Sequence, residues 1–135
     1  MFNRLLTSAF LGLTVLTGSA LADDADWVGL YKGLDALDGS IDYLSIAIKE
    51  PGEFDIRVVP SVFSLCENGK GWIVAEGRLT DEGKLHRFNS RAVCEGGELF
   101  DIRDRFLVRD EQTGIVRFGA TDDDRPLIYH RISTQ

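Results

Sequence analysis

Ile41-Asp42-Tyr43-Leu44-Ser45-Ile46-Ala47-Ile48-Lys49 runs into a Pro51-Gly52 turn and continues as Phe54-Asp55-Ile56-Arg57-Val58. Leu44, Ile46 and Ile48 fall on one face, and Phe54, Ile56 and Val58 alternate with Asp55 and Arg57. A period of two with a turn between its halves predicts a β-hairpin with one buried face.

The same pattern recurs on both sides. Trp27–Lys32 reads as a first strand, and a short run Val62–Cys66 follows Pro60, a residue that ends a strand or marks an edge. Asn68-Gly69-Lys70-Gly71 turns the chain into Trp72–Leu79, and Thr80-Asp81-Glu82-Gly83 turns it into Leu85–Cys94. After Glu95-Gly96-Gly97 come Leu99–Val108, then Ile115–Ala120 and Leu127–Ile132. Asp35–Tyr43 leaves room for a loop or one helical turn. No segment carries a long 3.6-period stripe. The expectation is an all-β, antiparallel meander of about eight strands. Such a short chain must protect its edges, so we expect closure into a small barrel, with a two-sheet sandwich as the alternative.

The N-terminus carries Arg4, an apolar run from Leu5 to Leu16, and Ser19-Ala20-Leu21-Ala22 before Asp23-Asp24. This predicts an export signal over residues 1–22, cut after Ala22. The run is short for a bilayer span of about 20 residues. The expected mature chain, residues 23–135, is one domain in the periplasm or outside the cell, with no membrane insertion after the cut. Arg4 is the only charged residue of the leader, so its removal takes the net charge from −7 to −8. That acidity argues against nucleic acid as a partner. Cys66 and Cys94 are the only cysteines. In an oxidising compartment they are expected to form a disulfide.

Trp27-Val28-Gly29-Leu30-Tyr31 at the start and Tyr129-His130-Arg131 at the end resemble the calycin group of lipocalin-like and avidin-like barrels. In those families a Gly-x-Trp near the first strand packs against a basic residue near the last. Here Trp27 precedes Gly29 and Tyr31 takes the third place of the motif. The resemblance implies that Trp27, Tyr31 and Arg131 close the barrel bottom, with Arg131 in cation–π contact with one of the aromatic rings.

Among binding candidates, Asp38 lies in Asp35-Ala36-Leu37-Asp38-Gly39-Ser40-Ile41-Asp42, a turn or a recognition loop at the barrel mouth. It lacks the alternate oxygen donors and closing glutamate of a calcium loop. Asp122-Asp123-Asp124 reads as an exposed turn. Asp104 alternates with Phe100, Ile102, Phe106 and Val108. If that face is internal, Asp104 needs a partner among Arg87, Arg91 and Arg131, unless a bulge turns it outward. Arg87 and Arg91 are expected on one face, where with Arg103 and Arg105 they form either cross-strand pairs with Asp101 and glutamates, the simpler account, or a basic patch. Trp72 is a core residue or a stacking anchor. His86 and His130 lack metal-ligand spacing, no Gly-x-Ser-x-Gly elbow exists, and no cofactor motif is present. The expected function is noncatalytic binding of a small molecule. The alternatives are a protein-binding module, such as an inhibitor of a secreted or envelope enzyme, and a structural part of an envelope assembly.

Overall fold

The computed structural model describes residues 18–35, 38–110, 115–119 and 127–134. Among the described residues a helix, α1 (Gly18–Trp27), precedes nine strands: β1 (Gly29–Leu34), β2 (Ile41–Glu50), β3 (Glu53–Pro60), β4 (Gly71–Leu79), β5 (Leu85–Cys94), β6 (Leu99–Asp101), β7 (Arg105–Asp110), β8 (Ile115–Gly119) and β9 (Ile128–Ser133). All ladders are antiparallel. Neighbours run in the order β4-β3-β2-β1-β9-β8-β7-β5-β6, and β4 also pairs with β5. The all-β, antiparallel expectation is met.

Alternation buries one side of each strand. Tyr31, Leu44, Ile46, Phe54, Ile56, Val58, Leu85, Leu107 and Tyr129 form the main core. Phe63, Ala92 and the two cysteines form a second, smaller cluster. Cys66 and Cys94 are disulfide-bonded, with Cα atoms 5.5 Å apart. Closing a loop of that length contributes about 2–4 kcal/mol. A disulfide fits an oxidising compartment.

Four local expectations require correction. Trp27 ends α1 and is not part of the first strand, which starts at Gly29. The helix is docked by Asp24, whose buried carboxylate accepts the Gly52 N–H at 2.7 Å. Gly52 reaches that position with φ +74°, in the left-handed region that favours glycine. Val62–Cys66 is a turn segment. Its backbone bonds locally, with the Phe63 N–H donating to Gly69 O at 2.8 Å and the Cys66 N–H to Phe63 O at 3.1 Å.

Leu99–Val108 is not one strand. It breaks between β6 and β7, where the Ile102 N–H donates to Ser90 O at 3.0 Å. The break changes the phase of alternation, so Leu107 is buried and Phe100 is exposed. Asp104 turns outward and meets His86 Nε2 at 3.2 Å. Finally, Arg87 and Arg91 lie on opposite faces. The β4–β5 register slips between Val74 and Glu76, and facing that slip Asn89 takes φ 47°. This bulge buries Leu85 and Arg87 before it, and Ser90 and Ala92 after it. Glu76 holds the bulge by accepting the Asn89 amide at 2.6 Å and Lys49 at 2.9 Å.

The bulge makes a testable demand. Asn89→Val should lose about 1–2 kcal/mol of unfolding free energy, because a β-branched residue resists positive φ. Asn89→Gly should stay much closer to wild type in the same urea titration. Equal losses in both variants would place the cost in the Glu76 contact and not in the backbone.

Candidate functional site

At one end of the sheet a cavity of about 520 Å³ opens between the β1–β2 connection, the 62–65 segment, β5, residues 101–105 and the start of β9. Its apolar walls come from Val58 on β3, Ile73 on β4, Phe63, Ile102 and Leu127. The disulfide anchors the loop that supplies Phe63 and Leu65 to this wall.

Three buried ionisable groups line the cavity: Asp42, Arg87 and Tyr129, at 8%, 4% and 1% exposure. Cross-strand register places two of them. Asp42 and Tyr129 both pair with Gly33, from opposite sides of β1. Gly33 is required there, since a Cβ would lie 2.8 Å from Tyr129 Cδ1 and 2.9 Å from Ile128 O. The third, Arg87, stands on β5 opposite Arg105 of β7.

The acidic side is the β1–β2 connection. Asp38 accepts the Ser40 N–H at 2.8 Å, and the Asp35 N–H donates to Ser40 O at 2.9 Å. The Ser40 hydroxyl donates to Asp42 at 3.4 Å. Hydrogen bonds from Ser40 hold the Asp38 carboxyl below its usual range. Asp42 moves the other way: burial first, then the neighbouring Asp35 and Asp38 carboxylates, push it to about 6 against the Ser40 bond. Across the cavity, burial lowers Arg87 to about 10, with Arg105 adding repulsion while Tyr129 and Asp104 oppose. Burial raises the Tyr129 phenol, and Asp42 adds to the rise. The cavity thus has a carboxylate side, an arginine side and a phenol near both.

Of the candidates read from the sequence, Asp38 and Arg87 line this cavity. Asp104 and Arg91 do not. They border a larger depression of about 750 Å³ around the bulge, with Asp55, Glu76 and Asn89. Its charged walls are mainly outward-facing strand side chains, whereas the smaller cavity holds the buried ionisable groups, and we assign the site to the latter. Trp72 is half-buried on β4 beside Val93 and does not line the cavity.

Trp27, Tyr31 and Arg131 gather toward the other end of β1. Tyr31 donates its hydroxyl to Trp27 O at 2.7 Å and accepts from Arg131 Nη2 at 2.7 Å, with the guanidinium carbon 5.2 Å from the ring centre. Arg131 also donates to Asp26 O. Asp122–Asp124 lie outside the described residues.

Sequence reasoning missed Asp42 and Tyr129. Asp42 had a signal, because it shares the alternating face of Leu44, Ile46 and Ile48. Arg105 and Arg103 were read as an outer patch, but both line the cavity. No family model matches this chain, and neither curated proteins nor solved structures give a match.

Asp42 has a folded pKa above its unfolded value, so its ionisation costs stability as pH rises from about 4 through 6. Asp42→Asn keeps the neutral shape and removes that cost. The variant should match wild type near pH 4 and exceed it by about 1–2 kcal/mol at pH 7, after allowance for partial solvent screening. Urea unfolding at several pH values measures the difference. A variant less stable than wild type at pH 7 would contradict a strained Asp42 carboxylate.

Proposed function

We propose that this chain is an exported, noncatalytic binding protein whose small ligand occupies the cavity holding Asp42, Arg87 and Tyr129. The observation that carries the reading is the burial of these three groups around an open volume. An apolar lining would fold at lower cost, because each buried ionisable group loses hydration. Polar groups set in an apolar cavity of this size are the usual means of orienting a small molecule.

Residues 1–22 act as the export signal. Asp24 and Trp27, buried just beyond the expected cut, stay with the mature protein and keep α1's last turn docked. The sheet does not close into the expected barrel, and its ladder order fits two packed walls, the sandwich alternative, better. The Trp27–Tyr31–Arg131 cluster supports a calycin-like closure of the end away from the cavity.

One observation favours a second reading. Val62, Leu65 and Leu99 are more than half exposed on the disulfide-braced loop and β6. A pre-ordered loop bearing apolar side chains suits a protein partner.

Native mass spectrometry of the oxidised protein, taken from the compartment to which it is exported, separates these readings. The ligand reading predicts a chain beginning at Asp23 and a small adduct that is lost on denaturation. Arg87→Gln should reduce its occupancy. A bare mature mass together with a co-purified protein, released by Leu65→Asp, would favour the second reading instead.

A further inference from the structure

We propose that the outward face of β2–β6 docks an amphipathic helix of a protein partner. The apolar stripe of that helix lies along Tyr43, Val59, Trp72, Val93 and Leu99, and its acidic flank meets Arg57 and Arg91. The inference does not rest on the cavity, which is lined by Asp42, Val58 and Ile73 from the other face of these strands.

An antiparallel sheet with one face on the core normally turns polar side chains to solvent. Here one line across the sheet is apolar. Tyr43 pairs with Val59, Trp72 with Val93, and Val93 with Leu99. The β3–β4 register sets Val58 opposite Ile73, which puts Val59 beside Trp72. These are outward positions, since the neighbouring Leu44, Val58 and Ala92 are buried in the core. Tyr43, Val59 and Leu99 are 40%, 44% and 61% exposed, and Trp72 and Val93 are half-buried. Four strand spacings make the line about 20 Å long. An apolar line rimmed by charge marks a contact surface, and tryptophan, tyrosine and arginine are the residue types that dominate protein interfaces.

The next line of outward residues carries the charge. Arg57 pairs with Val74, and Val74 with Arg91. Both arginines are exposed. Lys49 and Arg78, on β2 and β4, form ion pairs with Glu76 and Glu53. Among the described residues Arg57 and Arg91 form none, although Asp101 faces Arg91 across the β5–β6 pair. Two guanidiniums without counter-charges, set beside an apolar line, are complementary to carboxylates on a partner.

The backbone selects a helix. β2, β3, β4 and β5 are each hydrogen-bonded to strands on both sides, so this face offers no free backbone group. An extended segment laid on it would leave its own N–H and C=O groups unpartnered, whereas a helix satisfies them internally. The dimensions agree. The apolar line matches about 13 residues of helix, and the arginines, two strands apart, stand about 10 Å from each other, the rise from residue i to i+7. The partner helix therefore carries apolar residues at i, i+3 or i+4 and i+7, with acids seven apart on one flank.

Stapled helical peptides of about 14 residues test this on the mature, oxidised protein. One carries a leucine stripe flanked by two glutamates seven apart. Its control has the same composition with the glutamates on the opposite side. Titrations followed by backbone amide NMR shifts should show the first peptide binding about tenfold or more tightly than the control. The shifts should centre on Tyr43, Trp72 and Arg91 and spare Tyr129. The double variant Arg57→Glu, Arg91→Glu should lose that preference while keeping the urea midpoint of the wild type, both sites being exposed. Equal binding of the two peptides, binding of neither, or shifts confined to the cavity would overturn the proposal. So would adsorption to phosphatidylglycerol vesicles that the double variant abolishes, which would assign the face to a membrane. A dimer in sedimentation velocity that Val59→Asp dissociates would overturn it in favour of a second copy of this chain.

Discussion

β1 lies between β2 and β9, so the last strand of the chain must return to the first. Tyr31 is the pin of that junction. Its ring is fully buried, its hydroxyl donates to Trp27 O, and it accepts from Arg131 of β9, one hundred residues away. Three otherwise separate pieces are therefore fixed together: the helix end, the first strand and the last. Hydrogen bonds involving a charged donor are worth more than neutral ones.

The cavity is held by local departures from regular strand geometry. Gly33 lets the Tyr129 ring lie over β1, where any side chain would collide with it. The bulge at Asn89 shifts the phase of β5, so that Arg87 faces inward while Arg91 faces out. The break after β6 brings Ile102 and Arg103 to the rim. The disulfide secures the segment that carries Phe63. Each of these features also places a side chain at the cavity. A protein that only had to fold would have little use for a carboxyl pushed to about 6 in a cavity that also holds a buried tyrosine and a buried arginine.

The sequence made the strands legible because period-two alternation and glycine turns are local signals. Ile41–Glu50 and Glu53–Pro60 fall where the pattern puts them, and Leu85–Cys94 matches the expected strand end to end. Cys66 and Cys94 pair as the turn positions suggested. The faces were harder. A single residue of slip inverts which side is buried, and slips at Asn89 and at 102–104 depend on contacts with other strands, such as Glu76 to Asn89 and Ser90 to Ile102. Asp104 and Arg87 were placed by extending alternation across those slips, so they fell on the wrong side. Asp42 needed no such extension. Its place on the apolar face of β2 was legible, and only the habit of reading aspartates near a turn as exposed hid it.

The central claim is that one end of this sheet holds an open cavity lined by Asp42, Arg87 and Tyr129 and the other end is tied by the Trp27–Tyr31–Arg131 contacts. A high-resolution crystal structure of the mature, oxidised protein tests it most directly. The account predicts a solvent- or ligand-filled volume with Asp42 and Arg87 on opposing sides and no direct ion pair between them. A collapsed interior, with Asp42 and Arg87 in contact and the apolar walls packed over them, would contradict it.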